Sequence, residues 1–390
     1  MNQGKYVFAQ LNGFIVRYEF DKCVDRYQGN HRTRDFSCWN QFLCMMFGQL
    51  THRESIRDIA TCLKAHQNKI YHLGIKQAVS HSTITRANES RDWRIYADFG
   101  KYLIDLVRPL YADDNDFAID LDNTVYAMDS TTIDLCLSVF PWAKFRKKKA
   151  AVKMHTMLNL RGNIPVFIDI TGGKVHDVNI LDLIDFEPYA IYVMDKAYTD
   201  FERLFEIEMS KAFFTIRAKD NLKFKRVSSI KVDKTKGLKC DQIIKLTGIK
   251  TAKLYPRKLR RVKYWDADNE LLLVFLTNNF QADTLTICML YKMRWQIELF
   301  FKWIKQHLRI KAFWGYSPNA VKTQIWIAIC TYLIIALVKK QIKSDLSLYE
   351  ISQILGVSAF DKTPLNELLT NFSKNEKTKE LYNQLNLFDL

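Results

Sequence analysis

A mixed α/β protein is predicted, with an α/β core, an inserted mainly-β subdomain and a helical amino-terminal domain. Three observations predict it. Apolar and aromatic residues recur at helical spacing from residue 1 to about 115, and short strand-like apolar runs alternate with helical ones from about 116 to 217. Beyond them, Lys219 to Lys263 is crowded with cations. At 390 residues the chain is long for one domain, and its 48% apolar and 13% aromatic content suits packed cores rather than disorder. Its net charge of +16 attracts polyanions, of which nucleic acid is the commonest.

In the amino-terminal region, Cys38 to Leu50 is rich in Trp, Phe, Leu and Met at helical spacing. Ser55 opens a second helix as its N-cap, and after a break at Gly74 the Ser80–Asn88 segment begins a third. Two short helices around a glycine-containing connection, then a polar helix, suit a helix-turn-helix. A helical packing module without DNA contact suits the same pattern. Much later, Ile325 to Val338 is apolar except for Thr331. As a helix it would span roughly 21 Å, short of the ~30 Å hydrocarbon core, so a buried helix is expected and no membrane span.

From about residue 116 the pattern turns to strands. Thr124 to Asp129 is a short apolar run ending in an acid. Ala151–Leu160 and Ile164–Ile170 follow, joined by Arg161-Gly162-Asn163, which suits a tight hairpin. A helix over Asp177–Ile184 leads to Ala190–Asp195, again apolar and again ending in an acid. A helix over Asp200–Ser210 and a strand over Ala212–Arg217 complete the run. Three antiparallel strands, helix, strand, helix, strand is the order of the ribonuclease-H-like fold. In that fold the first and fourth strands are neighbours, so Asp129 and Asp195 are expected to stand side by side.

Between Lys219 and Lys263 there are 16 Lys and Arg against three acids, so most of the chain's +16 falls there. Gln242–Leu246 and Glu270–Thr277 are β-prone. An inserted β subdomain with a nucleic-acid-facing surface is expected; a bare charged loop of this length is uncommon in compact proteins.

Asp283 to Ile310 is predicted as one helix. At about 100° per residue, Tyr291, Arg294, Glu298 and Lys305 share a stripe roughly 60° wide. Leu290, Met293, Ile297, Phe300, Phe301, Ile304 and Leu308 make a separate apolar face. The stripe suits either a functional cluster or a surface salt-bridge ladder, since Arg294 and Glu298 are an i, i+4 pair.

The spacing Tyr-x2-Arg-x3-Glu-x6-Lys resembles the signature of the YREK group of bacterial insertion-sequence transposases, the "insertion sequence four" family, at Tyr291, Arg294, Glu298 and Lys305. Upstream, Asp129-Ser130-Thr131 and Asp195-Lys196-Ala197-Tyr198 resemble that family's two aspartate motifs, in the family's order. The second departs from the common pattern, with Lys196 and Ala197 where Arg and Gly often stand. Lys keeps the charge but loses bidentate phosphate geometry.

The resemblance implies a DDE transposase whose metal ligands are Asp129, Asp195 and Glu298. Three converging carboxylates repel one another unless a cation neutralises them, and oxygen-only ligands suit Mg²⁺ or Mn²⁺. Two ions about 3.5–4 Å apart would serve an in-line displacement at phosphorus. Tyr291, Arg294, Lys305 and Lys196 would hold DNA phosphates. Trp295 would stack on a base flipped out during hairpin formation, or pack against the inserted subdomain. The implied reactions are nicking of the transposon end, hairpin formation and opening, and attack of the 3′-OH on target DNA. Expected partners are the terminal inverted repeats, target DNA and a second copy of the chain, with the protein in the bacterial cytoplasm at the nucleoid. The domain reading is 1–115 for DNA binding, 116–217 with 278–345 for the core, 218–277 for the insertion and 346–390 for a carboxy-terminal helical region that dimerises. Two other readings share these residues: a nuclease or resolvase that stops at hydrolysis, and an idle DNA-binding repressor.

Other residues invite a role. His176-Asp177 could form a catalytic dyad, with Asp177 as a helix cap the plainer reading. The cluster Lys144–Lys149, including Lys147 and Lys148, suits DNA contact or an idle charged face. Lys153 and His155 alternate on the second strand, where they would orient the metal or DNA, or face solvent. The eight cysteines show no C-x-x-C pair or zinc-finger spacing and read as reduced thiols.

Overall fold

The amino-terminal helices follow their caps. In this computed structural model, which describes residues 4–112, 119, 121–308, 310 and 312–370, they are α1 (Val7–Asn12), α2 (Arg17–Arg26), α3 (Cys38–Leu50), α4 (Ile56–Ala65), α5 (Gln67–Ile70), α6 (His81–Ser90) and α7 (Arg94–Val107). Ser55 and Asp58 close a reciprocal capping box at α4, and the Ser80 hydroxyl accepts from Thr83 N–H at α6. Gly74, at φ +86°, ends the turn after α5 in the left-handed region that glycine tolerates best. The connection from α4 to α6 thus holds α5 and a 3₁₀ turn, longer than the roughly 3–4 residues of a helix-turn-helix.

The chain forms two compact units. The first draws on residues 1–110, 136–142 and 302–390, so the described residues from 302 to 345 cluster with the amino-terminal helices rather than with the core to which the sequence assigned them. Its long helix (Pro318–Ile342, α12 below) packs against α7, and Gly100 makes the approach possible: a Cβ there would meet the Trp326 ring at 2.9 Å. Among the described residues it is the one helix long and apolar enough to cross a membrane, and 94% of its most apolar window is buried. Its apolar surface is therefore used as core. Of the carboxy-terminal reading, 346–390, the part from 371 onward lies outside the described residues.

The second unit, residues 111–135 and 143–301, is a mixed α/β layer built on one sheet. Strands β1 (Val125–Leu135), β3 (Lys149–Asn159) and β4 (Ile164–Gly172) are antiparallel, with the short β2 (Lys144–Arg146) also on β3. Gly162 and Asn163 both have positive φ, as a primed hairpin turn requires. Strands β5 (Ile191–Met194) and β6 (Phe213–Arg217) run parallel to β1, separated by α8 (Phe201–Met209), whose N-cap Asp200 accepts from two first-turn N–H groups. Tyr126, Met128, Tyr192, Met194 and Phe214 pack with Leu204 and Ile207 of α8 into its core.

Four boundaries differ from expectation. The first strand continues past Asp129 to Leu135 because β3 supplies ladder partners along that whole length. Residues Asp177–Leu183 form a 3₁₀ helix, the tighter geometry used in short pieces. The 218–277 segment does not stand apart: β7 (Phe224–Ile230), β8 (Leu238–Leu246), β9 (Lys258–Asp266) and β10 (Leu271–Thr277) extend the same sheet, β10 pairing antiparallel with β6, while α9 (Ile249–Leu254) lies between β8 and β9. The helix expected over 283–310 is divided into α10 (Thr284–Met293) and α11 (Trp295–His307). At the junction Arg294 N–H bonds Tyr291 and Ile297 N–H bonds Arg294, both i to i−3, so a 3₁₀ step displaces the helical angles beyond it. Helices α12 (Pro318–Ile342) and α13 (Leu348–Val357) follow.

Candidate active site

The parallel pairing of β1 with β5 matches Met128 to Met194, so the residues that follow, Asp129 and Asp195, stand beside each other. Asp129 lies within β1, opposite Thr156 of β3, while Asp195 is the first residue after β5. Tyr291, near the end of α10, donates its hydroxyl to Asp195 at 3.2 Å. Arg294, at the 3₁₀ step, binds Asp129 Oδ2 through Nη1 and Glu298 Oε1 through Nη2, each at 2.7 Å. Four of these residues and the Glu298 carboxylate thus make one polar cluster from three distant stretches of chain.

The charges strain against one another. Burial pushes the Asp129 carboxyl up to about 6, with Arg294 opposing and the charges of Glu298 and Asp195 adding to the rise. The Arg294 guanidinium is largely buried, and its Nε has no hydrogen-bond partner among the described residues. That N–H is buried as well as unpartnered. As arranged here, the described residues contain no three acidic, His or Cys side chains gathered closely enough to hold a metal ion, and the Arg294 guanidinium bridges Asp129 and Glu298. The donor set is nonetheless all carboxylate oxygen, the chemistry that suits Mg²⁺ or Mn²⁺.

Trp295 begins α11 with 57% of its surface exposed, on a cleft of about 570 Å³. Tyr291, Arg294 and Arg217 also line that cleft. Arg217 was not singled out from the sequence, although Ala212–Arg217 repeats the pattern of an apolar strand ending in a charge. Lys196 is exposed directly after Asp195. Lys305 sits in the last turn of α11, within the first unit. Lys147 and Lys148 are exposed in the β2–β3 turn. Close to Asp129 in sequence, they lie about 24 Å along β3 from Thr156, the partner of Asp129, at ~3.4 Å per residue. The structure does not bring them to the acids.

Asp177 is no helix cap: His176 occupies the N-cap of its 3₁₀ helix, and no side chain caps it. Its carboxylate instead accepts from the Ser130 hydroxyl at 2.7 Å and the Lys153 ammonium at 3.0 Å. His155 is buried, with Nδ1 3.6 Å from Asp177 and Nε2 2.8 Å from the Thr171 hydroxyl. Burial lowers its pKa, with Asp177 opposing. Lys153 and His155 therefore face inward, on the residue that anchors Ser130 next to Asp129. A second network was also hidden in sequence. Arg260, counted among the basic surface, is 3% exposed and binds Asp241 and the Thr284 hydroxyl at the start of α10.

Residues 120–334 match the family described as "Transposase DDE domain", and residues 3–76 match "Domain of unknown function (DUF4372)". The chain is 37% identical over 53% of its length to a transposase-named protein of Sinorhizobium fredii, and 29% identical over 56% to one named for an insertion sequence element of Geobacillus stearothermophilus. These alignments span 59% and 57% of the relatives' own length. A solved piggyBac transposase synaptic complex with hairpin DNA aligns over 93% of this chain and 82% of that one, at 10% identity and a TM-score of 0.44. On the family match, which spans more than half of its length, the chain belongs to the DDE-domain transposase family.

Proposed function

We propose that the chain is a DNA transposase with a ribonuclease-H-like core, which cleaves the ends of its element and joins the freed 3′-OH to target DNA by cut-and-paste through a hairpin. The observation that carries this reading is the contact of Arg294 with Asp129 and Glu298, next to the contact of Tyr291 with Asp195. Two residues of the Tyr-Arg-Glu-Lys spacing meet the three acids directly. A salt-bridge ladder on a solvated helix would not reach residues 96 and 165 positions away.

Asp129, Asp195 and Glu298 would hold divalent cations, which when bound supply neutralisation of the acids and Lewis acidity toward a phosphate. The chain's own residues do the rest. Tyr291 and Arg294 present donors beside the acids, and an Arg294 guanidinium released from Asp129 and Glu298 would suit a phosphate oxygen. Lys196 adds an exposed ammonium on the Asp195 side. Trp295 offers a free aromatic face at the cleft mouth for an unstacked base. Each proposed step is an in-line displacement at phosphorus, so one set of groups serves nicking, hairpin formation and joining.

The test uses purified protein, Mg²⁺ and DNA bearing the element's own ends. Glu298→Gln is expected to bind the ends and to neither nick nor join them. Joining at the wild-type rate by that variant would remove the assignment. Nicking by the wild type without any joined product would favour a nuclease.

A further inference from the structure

Two clefts on the Asp195 side form a single path. The first, of about 470 Å³, is lined by Asp195, Lys196, Lys219 and Asn221. The second, of about 330 Å³, shares Lys219 and Asn221 and continues between the start of α8 and α9, past Lys223 and Lys250. All four lysines are exposed. None forms an ion pair with a carboxylate among the described residues, whereas Lys153 and Lys292 each do. Lys219 donates to the Thr199 carbonyl at 3.2 Å, which fixes it at the point where the clefts meet.

The acids along the path do not cancel these charges. Asp200 is committed to the α8 N–H groups and to Arg203 at 3.2 Å, leaving Asp220 as the other acid beyond Asp195. The floor of the second cleft is apolar, built from Phe201, Leu222 and Leu254, all partly buried. An ammonium rim over an apolar floor matches a nucleic-acid strand with its phosphates on the rim and sugar or base faces on the floor. A space of about 300 Å³ is at the lower end of what holds a small organic ligand, so a nucleotide fits and a duplex does not.

We propose that this path carries an unpaired DNA strand leaving the processed phosphate on the Asp195 side, with Lys219, Lys223 and Lys250 on its phosphates and Phe201 against a base. The inference rests on the reading of Asp129, Asp195 and Glu298 as a site acting on DNA. It adds which side the strand leaves by and that it leaves single-stranded.

The experiment measures binding of the full chain to a duplex with and without a single-stranded extension of about ten nucleotides, within the range such sites span, over a series of KCl concentrations. For the wild type, the extension should raise affinity and steepen the salt dependence. The triple variant K219Q/K223Q/K250Q should lose that gain, with a slope shallower by about 2, at ~0.7 per phosphate contact. The control K231Q/K234Q/K236Q, on exposed lysines of the β7–β8 connection at the opposite end of that strand pair from Lys223, should keep it. The proposal is overturned if the extension gives no gain, if the path variant keeps the gain, or if the control loses it equally. Binding needs no catalysis. A chain that neither nicks nor joins but shows the lysine-dependent gain would remove the transposase reading alone; active joining with no such gain would remove the path alone.

Discussion

Arg294 and Asp129 are joined at 2.7 Å across 165 residues of sequence. The same guanidinium holds Glu298. If Asp129 and Glu298 hold a divalent cation, as proposed, Arg294 would compete with it for the same carboxylate oxygens, and loading the metal would require the guanidinium to withdraw.

Arg294→Met tests that competition. It leaves two half-buried carboxylates without their cation, which should cost about 1–3 kcal/mol in metal-free protein, less than for a fully buried pair. Mg²⁺ should restore more stability to the variant than to the wild type. Thermal melts with and without Mg²⁺ check this; an equal shift in both proteins would count against the competition.

The pH dependence has a definite sign. The Asp129 carboxyl is pushed up to about 6 by burial, against roughly 3.9 when unfolded. With the folded value higher, protonation favours the fold: the stabilisation is full below about 3.9 and is lost as pH rises through about 6. In EDTA, Asp129→Asn should gain about 1 kcal/mol relative to the wild type between pH 5 and pH 7. Urea denaturation at the two pH values measures it, and a constant difference would show that Asp129 is not so perturbed.

Trp295→Ala should change stability by less than about 0.5 kcal/mol, since the ring is more than half exposed. It should nick DNA ends normally and form hairpins poorly. Gel analysis of end-labelled DNA separates the two products, and an unchanged hairpin yield would remove the stacking role.

Asp241→Asn should destabilise the fold by about 3–5 kcal/mol, because it strands Arg260, which is 3% exposed. The loss should exceed that of neutralising any exposed lysine of β7. A denaturant series would show this as a lower midpoint, and a change within about 0.5 kcal/mol would mean that the pair does not secure α10.

Much of this was legible because local patterns carried it. The order of strands and helices predicted that Asp129 and Asp195 stand side by side. The pairing of Met128 with Met194 places them so, although β1 continues to Leu135. Ser55, Ser80 and Asp200 marked their helices. What escaped depended on partners distant in sequence. The 3₁₀ step at Arg294 has no Pro or Gly to announce it, so one continuous helix was drawn through it from Asp283 to Ile310. Charge counting could not tell buried Arg260 from exposed Lys225, because composition says nothing of Asp241 opposite. Asp177 looked like a cap because caps are local, whereas Ser130 and Lys153 reach it across 47 and 24 residues.

Asp129, Asp195 and Glu298 are proposed to act as one site that joins DNA strands. Sequencing the junctions formed when end-bearing DNA, a target plasmid and Mg²⁺ are mixed with the protein tests it most directly. The wild type should link each 3′ end of the element to a target strand, and Asp129→Asn, Asp195→Asn and Glu298→Gln should each yield no junctions while still binding the ends. Junctions formed at the wild-type level by any one of the three would contradict the claim.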